Sequence, residues 1–297
     1  MLIPFRAGPY DIAIVPKEEA IMKNIIIPVD FSKHSDAAMK AGAHLARKTF
    51  ARLHLLHVVL GPENWDKMSV EYRQKHPQVE SQIVEASMKL EEIGKDPMFQ
   101  GLNVVPQVKT GLAHERIVSF ADATNADLII MGAHGAGDPK PVYIGSTAQK
   151  VIRRAKCPVL SVKTNFDPTK VKHILFASDF EEDVSEALQL ITELAVAMET
   201  SIDLTFVNTP GHFVDTETIE QRMREATPEK PGIVINQYVY NHYDKDRGIV
   251  EAAKKREAGV IAMITHERKR KPPYSFGITE SVLFLADAAV ISVIVKK

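Results

Sequence analysis

The first half of the chain alternates between short apolar runs and longer stretches in which apolar residues recur at helical spacing. One such helical set is Val79, Ile83, Leu90 and Ile93. The pattern predicts strands at 24–29, 53–59, 103–108, 127–132 and 158–162, and helices near 33–50, 77–94, 112–125 and 146–155. Because the strands are apolar throughout, neither of their sides suits solvent. The alternation therefore predicts right-handed βαβ crossovers and a parallel sheet with helices on both faces.

The chain also repeats itself. Residues 24–59 align without a gap to residues 173–208, at a shift of 149 positions. Residues 127–162 align to residues 259–294, at a shift of 132 positions, so the second half is 17 residues shorter in its middle. Self-similarity of this kind indicates that one structural unit occurs twice. The fold class that follows is a doubly wound α/β fold, present in two copies.

The repeat also predicts where the two domains lie. We expect the first domain at 22–163 and the second at 171–297, joined by the short linker KTNFDPTK. Residues 1–21 resemble neither half. They are either an N-terminal extension or precede a natural start at Met22, and we assign them no function.

Composition and charge argue against several classes of function. The 297 residues carry a formal net charge of -1, which argues against a broad electrostatic surface for nucleic acid or for an anionic membrane. No apolar run approaches the roughly 20 residues that span a bilayer, and the N-terminus lacks the pattern of a signal peptide. Cys157 is the only cysteine, so an intrachain disulfide is impossible. We therefore expect a cytoplasmic protein that binds neither nucleic acid nor membrane.

A glycine-containing loop follows the fourth predicted strand. It begins with Gly132-Ala-His-Gly135, continues for nine residues, and ends in Gly145-Ser146-Thr147 at a predicted helix start. Glycines allow the backbone to approach a ligand closely, and a helix start offers unpaired N–H groups to phosphate. The loop is neither a Walker A motif nor a G-x-G-x-x-G fingerprint. It predicts a phosphate site at the carboxyl ends of the strands, where open α/β sheets bind ligands.

The spacing G-x2-G-x9-G-[ST], with IPVDFS near the start and CPVLSV at the end, resembles the ATP-binding subgroup of the universal stress protein family. The resemblance covers residues 22–297 as two family domains. It implies two Rossmann-like, adenine nucleotide alpha hydrolase-like domains, each with a five-stranded parallel sheet of strand order 3-2-1-4-5. It also implies bound ATP, with Mg²⁺ or Mn²⁺ bridging the phosphates.

The family's nucleotide contacts map onto residues of the first half. Pro28, Val29 and Asp30 would lie near the adenosine, together with the backbone of Val58. Met131 and Gly132 would line the ribose side. The phosphates would be held by Gly135, Gly145, Ser146 and Thr147, with His134 included as a residue of the same loop. No catalytic residue and no metal-ligating side chain is assigned.

The second half acts as an internal control. It has Ile264, Glu267 and Ile278 in the places of Gly132, Gly135 and Ser146, so we expect nucleotide in the first half only. Asp179 and Gly277 persist at the places of Asp30 and Gly145. Asp30 and Gly145 are therefore either ligand contacts or residues that form a turn and start a helix.

The sequence gives weaker evidence for other kinds of site. The basic run at 268–271 is either a solvated loop or a site for another anion. His54 and His57 are three apart on a predicted strand, so they point to opposite faces and do not share a metal. Cys157 is expected to be buried and unreactive.

Three functions remain open. The chain is an ATP-binding regulatory protein of the stress response, a slow ATPase or phosphotransferase, or a scaffold that binds no nucleotide or another small ligand. Family dimers commonly pair through their last strands, here 158–162 and 290–295. The resemblance therefore implies an internal pseudo-dimer of the two domains, and a homodimer of two chains is possible.

Overall fold

The computed structural model describes residues 22–134, 145–227, 232–266 and 277–295. The chain forms two compact units that divide between Asn165 and Phe166. We call Met22–Asn165 the first unit and Phe166–Lys297 the second unit. No helix among the described residues is long and apolar enough to cross a membrane.

The first unit is a five-stranded parallel sheet with the strand order β3-β2-β1-β4-β5. This is the predicted order, and it confirms the doubly wound α/β fold. The elements are β1 Asn24–Pro28, α1 Lys33–Thr49, β2 Arg52–Val59, α2 Val70–Gln74, α3 Pro77–Ile93, β3 Val104–Thr110, α4 Ala113–Thr124, β4 Leu128–Gly132, α5 Ser146–Ile152 and β5 Val159–Val162.

The second unit repeats this arrangement, with the parallel order β8-β7-β6-β9-β10. Its elements are β6 His173–Ala177, α6 Ser185–Ala197, β7 Ser201–Asn208, α7 Thr216–Ala226, β8 Ile235–Asn241, α8 Lys245–Lys255, β9 Val260–His266, α9 Ile278–Leu285 and β10 Ala289–Val295. Strand for strand, β6 to β10 therefore correspond to β1 to β5.

The core explains why these strands are parallel. Ile25, Ile26 and Ile27 are consecutive residues of β1, and all three are fully buried. Successive strand residues point to opposite faces, so helices must cover both faces of the sheet. The crossover helices supply that cover, since α1 buries a row of alanines with Leu45.

One region between β2 and α3 was not predicted. It holds a 3-10 turn at Trp65–Lys67 and the short helix α2. Trp65 is only 3% exposed and packs against Val59, Val79 and Ala86, and its Nε1 donates to Glu80 Oε2 at 2.8 Å. A lone tryptophan in a polar stretch gave no periodic signal from which this packing could be predicted.

Candidate functional site

The carboxyl ends of β1, β2 and β4 in the first unit border a cavity of about 600 Å³. Ten of the eleven predicted site residues line it: Pro28, Val29, Asp30, Val58, Met131, Gly132, His134, Gly145, Ser146 and Thr147. Gly135 lies outside the described residues. The remaining lining residues, which sequence reasoning missed, are Ser35, Leu56, His57, Ala113, Ile117 and Ala148. The cavity therefore lies where the strand order reverses, between β1 and β4.

The two ends of the cavity differ in chemistry. At one end, Ser146 and Thr147 offer backbone N–H groups at the start of α5 and two hydroxyls, beside Gly145. This end is fixed to the sheet because the Gly145 N–H donates to the Ala133 carbonyl, 3.0 Å away. At the other end, the lining is apolar and comes from β2 and α4, through side chains such as Ile117. The cavity thus suits a ligand with an apolar head and a polar tail.

Asp30 forms the turn that follows β1. Its Oδ1 accepts hydrogen bonds from the backbone N–H of Ser32 at 3.1 Å and from the Ser32 hydroxyl at 2.6 Å. The next residue, Phe31, has the left-handed φ of 61°. The second unit makes the same turn, with Phe180 at φ 54° and Asp179 Oδ1 accepting from the Glu181 N–H. The repeated Asp-Phe pair is therefore explained by the turn, although Asp30 also lines the cavity.

Gly132 allows α1 to approach the end of β4. A Cβ at this position would lie 2.6 Å from the Cβ of His34 and 3.0 Å from its carbonyl carbon. In the second unit, Ile264 takes this place and α6 begins at Ser185, which aligns with Asp36, the fourth residue of α1. Gly132 thus has a packing role that comparison of the two halves did not reveal.

His57 lies where β1 and β2 end. Its Nδ1 is 2.7 Å from the carbonyl oxygen of Val29, and its ring centroid is 4.6 Å from that of Phe31. At the matched position the second unit has Phe206, which is buried. That difference between the halves was the signal that could have marked His57 as a site residue.

His54 has a different environment. It is buried, its Nε2 lies 3.2 Å from Asn24 Oδ1, and burial and the Arg52 charge lower its pKa. His54 does not line the cavity that His57 lines, which agrees with the prediction that the two side chains point to opposite faces of the sheet. No group of three or more histidine, cysteine or acidic side chains among the described residues is arranged to hold a metal.

The charge of the cavity is low. Among its described lining residues there is no lysine or arginine, and Asp30 is the one carboxylate. The rings of His34 and His134 lie 5.3 Å apart beside Gly132. A polyanionic ligand would therefore be neutralised by backbone N–H groups and by a cation that it brings with it. Lys140, a residue of the loop between Gly135 and Gly145, lies outside the described residues.

The matching cavity of the second unit is much smaller, at about 170 Å³. Lys245 occupies the position of Ala113, and its Nζ lies 3.5 Å from Asp179 Oδ2. Ile264 and Ile278 line this cavity in the places of Gly132 and Ser146. Larger side chains and a solvent-exposed ion pair thus narrow the space at these strand ends. Glu267 and the basic run at 268–271 lie outside the described residues.

Cys157 offers no reactive thiol. The side chain is partly buried, and burial raises its pKa to about 12. The thiolate is the nucleophilic form, so the raised pKa disfavours reaction of Cys157 near neutral pH, although the residue is only partly buried and not fully buried as expected.

Comparison with known proteins gives a family match for the first half of the chain. The family model described as "Universal stress protein family" matches residues 22–163. Universal stress protein MJ0577 of Methanocaldococcus jannaschii is 30% identical over 156 residues, which is 48% of this chain and 94% of that protein. Universal stress protein MJ0531 of the same organism is 31% identical over 159 residues, or 51% of this chain and 88% of that protein.

A solved structure extends the likeness to both units. The crystal structure of a universal stress protein from Archaeoglobus fulgidus covers 91% of this chain and 97% of its own, with a TM-score of 0.67 and 18% identity. At that identity the likeness concerns the fold alone. It shows that one chain with this double α/β fold has been observed before.

Proposed function

Because this chain is a tandem member of the universal stress protein family, we propose that it is a regulatory protein of the stress response that binds one ATP, in the first unit. The observation that carries the proposal is the contrast between the two cavities. The first unit keeps about 600 Å³ open, whereas the second keeps about 170 Å³. Small-molecule sites usually occupy about 300–1,000 Å³, so only the first cavity has the size.

The polarity of the cavity supports one orientation of the nucleotide. The adenine would lie at the apolar end, between β2 and α4, near Val58 and Ile117. The phosphates would reach Ser146 and Thr147, whose hydroxyls and N–H groups are donors. The ribose would then pass Met131 and Gly132. This orientation also agrees with the resemblance of the glycine loop to the ATP-binding subgroup.

We further propose that the nucleotide binds as its Mg²⁺ or Mn²⁺ complex. ATP carries several negative charges near neutral pH, and the described lining offers no lysine or arginine to meet them. Divalent cations bind phosphate oxygens together with few protein ligands. Removal of the cation by a chelator should therefore weaken ATP binding strongly.

Regulation fits the cavity better than catalysis. Phosphoryl transfer needs a positioned nucleophile and strong charge neutralisation at the phosphates. Asp30 Oδ1 accepts two hydrogen bonds from Ser32, and His57 Nδ1 forms a hydrogen bond with the carbonyl oxygen of Val29. Neither group is placed at the phosphate end. We propose that nucleotide occupancy sets which partners the protein binds.

The test is a calorimetric titration of Mg-ATP into nucleotide-free protein. We expect one site per chain. Ala113→Lys copies the second unit and should reduce the affinity at least tenfold, because the lysine would cover the apolar end and pair with Asp30. The matched control, Lys245→Ala, should leave the stoichiometry at one, since Ile264 and Ile278 still take the places of Gly132 and Ser146 in the second cavity.

Each of the other outcomes would contradict part of the proposal. Absence of Mg-ATP binding would overturn the proposal and favour a scaffold or a different ligand. Two sites per chain would contradict the assignment to the first unit. Steady release of phosphate that disappears in Ser146→Ala would favour the slow ATPase or phosphotransferase.

A further inference from the structure

A separate cavity of the first unit lies at an edge of its sheet, and we call it the edge cavity. It measures about 360 Å³ and is bordered by α3, β3, α4 and the loop that follows β2. β3 is the last strand on this side of the sheet, and β2 is its one neighbour among the described strands. The volume falls within the range of small-molecule sites. The edge cavity shares no lining residue with the cavity proposed for ATP, so it is a candidate site of its own.

The lining of the edge cavity has an apolar part and a cationic part. Ile83, Val108 and Phe120 supply apolar surface, whereas Lys109 and Arg116 supply positive charge. The Nζ of Lys109 lies 6.0 Å from the centroid of the Phe120 ring, so this charge stands beside an apolar surface. Within the part of the chain that the structure describes, Lys109 forms no ion pair. Its charge is therefore available to an anionic group of a ligand.

Arg116 is held in position by the protein itself. Its Nη2 donates to Glu63 Oε1 at 2.6 Å. Its side chain also lies against the backbone of Gly111, where an added Cβ would meet Arg116 Cγ at 3.1 Å. Nε is sealed from solvent without a partner, whereas Nη1 is neither sealed nor hydrogen-bonded among the described residues. A guanidinium fixed in this way can bind a carboxylate through Nη1 with little loss of side-chain entropy.

The edge cavity also has an acidic side. Asp66 lines it from the 3-10 turn Trp65–Lys67 and is exposed. Asp66 forms no ion pair with Lys109, Arg116 or any other residue that the structure describes. Together with Glu63, which pairs with Arg116, it balances the two positive charges. This balance suits a ligand that carries both charges, because a simple anion would be repelled by Asp66.

An added β-strand is a poor occupant of this edge. The N–H of Leu53 donates to the carbonyl of Asn103, and the register of the parallel pair makes 105, 107 and 109 the next residues that bond to β2. Pro106 therefore faces away from β2, where it offers no N–H to a further strand. Proline on an edge strand is a common protection against such pairing. We therefore expect a small molecule rather than an extended peptide.

The second unit treats the same face of its edge strand differently. In β8, Tyr240 takes the place of Lys109 and is 7% exposed. Its hydroxyl donates to Glu251 Oε2 at 3.0 Å and accepts from Lys255 Nζ at 2.8 Å. Lys255 stands where α4 has Ala123, a lining residue of the edge cavity. The second unit thus covers this face with its own bonded side chains, whereas the first unit leaves it open.

We propose that the edge cavity binds a small zwitterion with an apolar side chain, that is, an apolar α-amino acid. Its carboxylate contacts Lys109 and Arg116, and its ammonium group contacts Asp66. Its side chain packs against the apolar lining at Val108 and Phe120. Each part of such a molecule meets a group of matching chemistry. The proposal does not depend on the binding of ATP.

The experiment titrates L-leucine into the protein and follows the fluorescence of Trp65, the neighbour of Asp66 in the same turn, with calorimetry as a second measure. Three analogues each lack one feature. 4-Methylpentanoate lacks the ammonium group, 3-methylbutylamine lacks the carboxylate, and glycine lacks the apolar side chain. We expect L-leucine to bind about tenfold more tightly than each analogue, because each analogue leaves one part of the lining without a partner.

Variants test the individual contacts. Lys109→Gln should weaken the binding of L-leucine about tenfold, because the carboxylate loses a charged partner. The matched control, Lys40→Gln, removes an exposed lysine of α1 and should leave the affinity unchanged. Asp66→Asn should weaken L-leucine but not 4-methylpentanoate, which has no ammonium group. Equal weakening of both ligands would show that Asp66 acts only on the structure, and would refute its contact with the ammonium group.

Further outcomes would overturn the whole proposal. They are the absence of L-leucine binding at millimolar concentration, equal affinity for L-leucine and 4-methylpentanoate, and competition between L-leucine and Mg-ATP, which would place the amino acid in the other cavity. Urea unfolding followed by the fluorescence of Trp65 shows whether each variant keeps the first unit folded. Because the titrations need no nucleotide, this proposal can fail while the proposed function stands.

Discussion

Replacing Gly132 with alanine tests the contact between the end of β4 and the first turn of α1. The new Cβ would lie 2.6 Å from the Cβ of His34 and 3.0 Å from its carbonyl carbon. Carbon atoms in contact are about 3.5–4.0 Å apart, so the two segments must separate by about 1 Å. No rotamer change removes the clash, because a Cβ and the backbone make it.

We expect Gly132→Ala to destabilise the first unit by about 1–3 kcal/mol, the usual range for overpacking. The available relaxation is the one that the second unit shows, where the helix begins three residues later. Unwinding that turn would break the cap in which Ser32 Oγ accepts from the Ser35 N–H, which is worth about 1 kcal/mol. The affinity for Mg-ATP should fall as well, since Gly132 lines the cavity.

The assay is urea unfolding followed by tryptophan fluorescence. Trp65 is the only tryptophan, and it is buried in the first unit, so the signal reports that unit alone. Gly94→Ala is the matched control, because its φ is -62° and its added Cβ meets its nearest neighbour at 3.4 Å. The reasoning fails if Gly132→Ala unfolds at the same urea concentration as Gly94→Ala.

Three further predictions concern stability and reactivity. Arg256→Leu should destabilise the second unit by about 3 kcal/mol, because Arg256 Nε lies 3.0 Å from the fully buried carboxylate of Asp203. Urea unfolding followed by circular dichroism measures this change, and a value below about 0.5 kcal/mol would contradict the prediction. Cys157, whose pKa is raised to about 12, should resist alkylation at pH 8 until urea unfolds the protein; rapid labelling of the native protein would refute it. The pKa of His54 is lower in the folded protein than in the unfolded chain, so protonation of His54 favours unfolding. The contribution of neutral His54 to the stability of the first unit is therefore complete above about pH 6.5 and is lost as the pH falls. His54→Gln should therefore reduce the loss of first-unit stability between pH 7.5 and pH 5, measured by Trp65 fluorescence, and an unchanged loss would exclude His54 as its source.

The fold could be predicted from the sequence because the strands are apolar on both faces and the pattern occurs twice. Ile25, Ile26 and Ile27 illustrate this, since a run buried on both sides fits only a covered parallel sheet. The glycine loop and the strand ends also indicated where the cavity of the first unit lies, because parallel strands bring their carboxyl ends to one edge.

The rest depends on tertiary contacts that no local pattern records. Sequence alignment places Ile264 over Gly132, but it cannot show that α6 begins later than α1 and so makes room for the larger residue. Likewise, nothing near Lys245 in the sequence indicates that it reaches Asp179, which lies 66 positions earlier. The hydrogen bond between His57 Nδ1 and the carbonyl oxygen of Val29 also cannot be predicted from the sequence, because the two residues lie on different strands.

The two cavities suggest what duplication does to a binding fold. The left-handed phenylalanine turn is kept in both copies, since the backbone needs it whether or not a ligand is present. Residues that keep a crevice open are under no such constraint in a copy that holds no ligand. Ile264, Ile278 and Lys245 then exchange open space for packing and an ion pair, a change that protein domains commonly tolerate. A repeated domain can in this way narrow the crevice at its strand ends while its fold remains the same.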